Sequence, residues 1–168
     1  MEKKFELTDK FVFNTFGIKL FQIKCTKSFK YAKEGDLGGY VEKDENLDQE
    51  SDAWVYGNAQ VSGNARVSGN AQVYGDAWVY GDAQVSGDAD IENDNNHCGF
   101  DCFGSCNRHT HAYLTKDNKV EITCGCFRGS IEEFEKKVEK THSGKIYEKQ
   151  YKAIINVIKI KFGLTDLI

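Results

Sequence analysis

Residues 53 to 91 read AWVYGN AQVSGN ARVSGN AQVYGD AWVYGD AQVSGD ADI, six hexads and the start of a seventh. Ala recurs at 53, 59, 65, 71, 77, 83 and 89. Val recurs at 55, 61, 67, 73, 79 and 85, with Ile91 closing the series. Gly recurs at 57, 63, 69, 75, 81 and 87, each time followed by Asn or Asp. The Ala-x-Val alternation is that of a short strand with one buried face, and Gly before Asn or Asp supplies the left-handed backbone that turns the chain. One such side cannot bury its own stripe, so the sides must stack as a solenoid.

Three six-residue sides to a coil would place residues 18 apart above one another. Trp54 then stacks with Gln72 and Asp90, Tyr56 with Tyr74, Gln60 with Trp78, Ser62 with Tyr80, Arg66 with Gln84, and Ser68 with Ser86. Two faces carry aromatics. Outward Trp54, Tyr56, Tyr74, Trp78 and Tyr80, with Asp76, Asp82 and Asp88 at the turns, form a candidate partner-binding surface, to be covered by the rest of the chain or by a second protein.

The hexad resembles the hexapeptide repeat of left-handed parallel β-helices, where an aliphatic residue recurs every six positions and a small residue precedes it by two. That resemblance implies a left-handed winding, and a solenoid that begins near Asp36 has about three rungs. Upstream, GDLGGYVEKDENLDQESD holds the phase in this reading, since Leu47 and Val41 lie six and twelve residues before Ala53.

Before the repeat, FVFNTFGIKLFQIKC reads as a hairpin turning over residues 14 to 17, a cap for the first rung. After ENDNN comes HCGFDCFGSCNRHTH. HAYLTKDNKVEITCGC then predicts a second hairpin about Asp117 and Asn118. Ser130 and Glu133 form a capping box ahead of Ile131, Phe134 and Val138, and Gly144 stops that helix. A second helix carries Tyr147, Tyr151, Ile154, Ile155, Ile158 and Phe162 on one broad face. The fold expected is mainly β, with a hairpin cap over residues 1–35, a β-helix over 36–92 and a C-terminal ββαα α+β domain over 97–168.

A second resemblance covers most of the chain. GDLGGYVE, the Gly-Asp-Ala-x-Val hexads and the tail CGCFRGSIEEFEKKVEKTH are similar to an uncharacterised family of phage and prophage proteins. It implies an accessory protein of a mobile element that binds and inhibits host machinery, including anti-CRISPR or other counter-defence activity, and brings no catalytic residues.

Composition narrows the classes. A chain of 168 residues, 40% hydrophobic and 12% aromatic, is neither disordered nor long in apolar runs, and no stretch approaches the ~18 residues of a membrane span. Its start, MEKKFELTDKF, lacks the apolar run of a secretory signal, so a cytoplasmic location is expected, in a bacterial host as the phage resemblance implies, with its six cysteines as thiols or metal ligands. Lys and Arg against Asp and Glu number 9 to 6 over residues 1–43, 1 to 11 over 44–96 and 12 to 9 over 97–168. The acidic middle repels phosphate backbones, which argues against direct nucleic-acid binding and for a basic, nucleic-acid-handling host protein as partner.

Three chemistries compete with binding. Acyl transfer, common among hexapeptide-repeat proteins, needs a general base, and residues 36–96 contain no histidine. Zinc is the candidate cofactor: Cys98, Cys102 and Cys106, spaced four apart among His97, His109 and His111, with Cys124 and Cys126 beyond, suit its four-ligand chemistry. A thiol nucleophile would use Cys124 or Cys126 with His142. An oligomerising structural component is the remaining alternative.

Overall fold

The computed structural model describes residues 2–164. It divides into two units, Met1–Asp94 and Asn95–Ile168.

In the first unit the hexads form three parallel ladders. β4 (Trp54–Val55), β7 (Gln72–Val73) and β10 (Asp90–Ile91) make one; β5 (Gln60–Val61) and β8 (Trp78–Val79) a second; β6 (Arg66–Val67) and β9 (Gln84–Val85) a third. Pairing is in the predicted register, with Trp54 opposite Gln72, Gln60 opposite Trp78 and Arg66 opposite Gln84. Every Ala and Val of the hexads is buried, and the six hexad glycines take positive φ between 56° and 69°. A Cβ is disfavoured there, which is why the corner is glycine in each hexad.

Upstream the phase differs from the sequence reading. Val41 pairs with Val61 and Leu47 with Val67, so this first turn is two residues longer than those that follow. Val41 and Leu47 therefore take Val positions, not Ala positions, and the excess lies between Leu47 and Trp54. Lys4 fills that widened corner. Its buried ammonium donates to the carbonyls of Ser51 (2.7 Å) and Ala53 (2.8 Å), while Gln49 Oε1 accepts from the backbone N–H groups of Lys4 and Phe5. Buried carbonyls without strand partners are thereby satisfied by a side chain.

The N-terminal hairpin is β1 (Phe5–Phe13) with β2 (Lys19–Cys25). Its turn is fixed by Asn14 Oδ1, which accepts from the N–H groups of Phe16 and Ile18, and by Gly17 at φ 75°. β3 (Leu37–Val41) joins hairpin to repeat, antiparallel to β2 on one edge and parallel to β5 on the other. Gly38 and Gly39 of GDLGGYVE make this crowded junction fit. A Cβ on Gly38 would lie 2.6 Å from the Val55 carbonyl oxygen, and one on Gly39 2.7 Å from that of Ala59.

The second unit departs from the expected ββαα arrangement by two strands. Its antiparallel sheet runs β11 (His97–Phe103), β12 (Arg108–Leu114), β13 (Val120–Cys124), β14 (Phe127–Ser130). The hairpin about Asp117 and Asn118 lies between β12 and β13. The Cys- and His-rich segment supplies β11 as well, interrupted by a bulge where Cys102 takes φ 63°. That bulge and the interspersed Gly and Asp mask the strand alternation. The helices α1 (Ile131–His142) and α2 (Ile146–Lys161) follow. Ser130 and Glu133 close the capping box reciprocally. Phe134, Val138, Tyr151, Ile154, Ile155 and Ile158 pack on Ala112, Ile122 and Cys124, so the apolar face of α2 is covered within the unit.

Two outcomes follow from the first unit. Gly39→Ala is expected to lower the unfolding free energy by about 2–3 kcal/mol through overpacking against backbone, whereas Gly57→Ala, at φ 56° with open space around its Cβ, should cost about 1 kcal/mol of left-handed strain; urea denaturation of both variants measures the difference. Burial holds the Lys4 ammonium at about 8, below the ordinary 10.5. Between those values the unfolded chain keeps a proton that the folded chain releases, so stability rises with pH across that window. Relative to Lys4→Met, the wild-type urea midpoint is expected to climb from pH 8 to 10.5.

Candidate functional site

The first unit offers an acidic corner and an aromatic face. Because residues 18 apart stack, each corner Asn of one turn faces an Asp of the next. Asn64 donates to Asp82 Oδ1 at 3.0 Å, Asn70 to Asp88 Oδ1 at 3.2 Å and Asn58 to Asp76 Oδ1 at 3.5 Å. Asp76, Asp82 and Asp88 are exposed. Each keeps further acceptor capacity, since an ionised carboxylate has about four lone-pair sites.

The aromatics separate by position. Trp54 is not outward: it is 1% exposed, with Phe29 edge-on at 5.4 Å and Phe5 at 6.4 Å. The N-terminal segment covers it, so it leaves the candidate surface. Tyr56 is half-buried, its single hydroxyl proton within reach of Gln72 Oε1 (3.1 Å) or Tyr31 O (3.5 Å), and burial pushes it up to about 12. Tyr74 donates to Asp90 Oδ2 at 3.4 Å. Trp78 is half-buried, and its backbone N–H donates to Asp94 Oδ1 at 2.9 Å.

Tyr80 stays open at 56%, beside Phe16 at 71%, the ring centroids 6.4 Å apart. Phe11 and Phe13 are also exposed and meet edge-on at 5.6 Å, with Lys19 Nζ 4.0 Å from the Phe11 ring centroid. These three phenylalanines are surface residues that the hairpin reading assigned only to capping. The signal was present: Phe11 and Phe13 alternate opposite to Val12, so one face of the hairpin had to carry them outward.

The five cysteines considered as zinc ligands are not gathered into one set, and among the described residues no three His, Cys, Asp or Glu side chains converge as metal ligands. Strand register separates them. Cys98, opposite Ala112, packs against the helix-covered core, where burial raises its thiol to about 11. Cys102 is exposed at the bulge. Cys106, Cys124 and Cys126 line a cavity of about 460 Å³, together with His142. Cys124 is committed within it, accepting from Thr110 Oγ1 at 3.3 Å and lying 3.7 Å from the Tyr151 hydroxyl. His142 stacks on Tyr151 instead of bonding a thiol.

His97, His109 and His111 form a different cluster. His97 Nδ1 and His111 Nε2 share a hydrogen bond of 2.9 Å, and His109 Nδ1 meets Asp101 Oδ1 at 2.5 Å. His111 Nδ1 is buried without a partner. Burial first, then His97 and His109, hold His111 well below its ordinary value of 6.5. The unfolded chain thus binds a proton near pH 6.5 that the folded chain refuses, and stability present above that pH is lost as pH falls below it. Native-state hydrogen exchange in β12 is expected to accelerate from pH 7 to 5, after correction for the intrinsic exchange rate, and His111→Phe to flatten that dependence.

No helix among the described residues is long and apolar enough to cross a membrane. No curated protein matches the chain. A family model described as the YdcK beta solenoid repeat matches residues 53–69, 59–75 and 71–87. Each match begins on an Ala of the hexad, so what the family model reads is the same period that sets the ladders, and residues 53 to 87 carry a β-solenoid repeat.

Proposed function

We propose that this is a non-catalytic binding protein of phage or prophage origin, whose repeat is a left-handed β-helix of about three rungs and whose acidic, aromatic-edged surface docks on a basic host protein and inhibits it. The fitting target is a protein that handles nucleic acid, such as a defence nuclease, because its binding surface is already positive and built for an acidic ligand. The observation that carries the reading is the 1-to-11 charge ratio over residues 44–96, with Asp76, Asp82 and Asp88 held in exposed corner positions.

The ladders support it in a second way. A backbone fixed by regular interstrand bonds presents its carboxylates preorganised, so little side-chain and loop entropy is lost on docking. Tyr80 and Phe16 lie exposed beside each other and supply the aromatic anchors that hot spots favour, while the acidic corners steer encounter.

Affinity capture from a bacterial host lysate, followed by titration of the captured protein, tests this. Asp76→Lys, Asp82→Lys and Asp88→Lys together are expected to weaken binding by about tenfold or more, with affinity declining steadily as salt rises. The captured protein's own activity should fall on binding. A partner held equally well by the triple variant, or equally at high salt, overturns the acidic surface as the docking site.

A further inference from the structure

The cavity in the second unit is built by two turns and a helix pair. Gly125, at φ 59° between the paired residues Cys124 and Phe127, is the left-handed residue of a two-residue hairpin turn. A Cβ on it would collide with the Arg108 guanidinium, which therefore lies across the turn. On the other side, the loop after β11 is clamped to α2. Gly104 N–H donates to Gln150 Oε1 at 3.1 Å, and the Tyr151 hydroxyl occupies the space a Gly104 side chain would need. Tyr151 donates to the Phe103 carbonyl at 3.5 Å. Burial pushes that hydroxyl well above its usual range, so it stays neutral.

The lining sorts by chemistry. Phe127, Phe134, Val138 and Tyr151 give an apolar floor. Arg108, Arg128 and Lys137 bring three positive charges to the rim, and no Asp or Glu lines the cavity. Arg128 is engaged, with its guanidinium on both oxygens of Glu121 at 3.0 and 3.2 Å. Arg108 and Lys137 have no carboxylate partner among the described residues. Two uncompensated cations over a concave aromatic floor, in a volume typical of small-molecule sites, define the complementary ligand by charge and by shape.

We infer that this cavity binds a small organic oxyanion, a phosphate monoester or carboxylate carried on an aromatic or apolar body, with Arg108 and Lys137 holding the anion and Phe127, Phe134 and Tyr151 the body. The site is separate from the acidic surface of the first unit and takes ligands of the opposite charge.

The cysteines provide the readout. Cys106 and Cys126 are exposed and line the cavity, whereas Cys102 is exposed and does not, so it serves as an internal control. The full chain is alkylated with iodoacetamide in the presence of phenyl phosphate, phenylacetate, inorganic phosphate or benzylamine, and modification at each cysteine is followed by peptide mass spectrometry.

Phenyl phosphate or phenylacetate is expected to slow Cys106 and Cys126 saturably and leave Cys102 unchanged; whichever protects at lower concentration identifies the anionic group. Inorganic phosphate should protect more weakly, and benzylamine not at all. Arg108→Gln and Lys137→Gln, both at exposed positions, should each raise the half-protecting concentration by about tenfold, the loss of one charge-assisted hydrogen bond. Absence of saturable protection by either aromatic anion, equal protection by benzylamine, or protection unchanged in both variants overturns the assignment.

Discussion

Everything in the first unit depends on parallel hydrogen bonds between neighbouring turns of the chain. Each strand is only two residues long, too short to hold itself, yet Trp54 N–H reaches Ala71 O at 3.0 Å, Tyr56 reaches Val73 O at 2.8 Å, and the same pair of bonds repeats for Gln60 and Ser62, Arg66 and Ser68, Gln72 and Tyr74. The bonds fix the distance at which Ala and Val of successive turns meet, and the burial of those side chains excludes water from the bonds. Neither works alone, because a single turn leaves its Val exposed and its carbonyls unpaired. The corner glycines are the condition for both, since the chain must turn from one side of the coil to the next within two residues, at positive φ.

A stack has ends, and each end is closed by side chains doing what backbone does in the middle. At the start, Lys4, Gln49 and Asn46 substitute for strand partners. Asn46 Nδ2 donates to the carbonyls of Gly63 and Ala65, whereas one turn on the Ala83 carbonyl, equivalent to that of Ala65, accepts from the Arg66 backbone N–H. At the far end, the Asp94 carboxylate takes the Trp78 backbone N–H. Open parallel edges attract further strands, and these polar caps occupy the groups through which another chain would add.

The two units divide electrostatic labour. In the first, acidic corners are displayed on a regular framework, while Lys4 is engaged on carbonyls and Lys19 over Phe11 and Phe21. In the second, positive side chains converge on a cavity whose walls are tight turns. Gly125 and Gly104 both take positive φ at these turns, and a guanidinium and a phenol occupy the space beside them. The cavity is thus a consequence of turn chemistry as much as of core packing.

What was legible in the sequence is what repeats or is local. The six-residue period fixed the strands, their buried faces and the 18-residue register, because stacking is nearly one-dimensional and each side contacts only its neighbours. The capping box at Ser130 and Glu133, the Asn14 turn and the Gly144 stop were equally readable from a few adjacent residues. The phase of Val41 and Leu47 was not, since the two extra residues before Trp54 are accommodated by Lys4, about fifty positions away in sequence. Only the tertiary structure decided that Trp54 lies under Phe5 and Phe29 while Tyr80 stays open, that cysteines spaced regularly along the chain are parted by strand register, and that Arg108 and Lys137 meet over one cavity. Those outcomes turn on which distant segment arrives to cover a side chain, and no local pattern encodes that arrival.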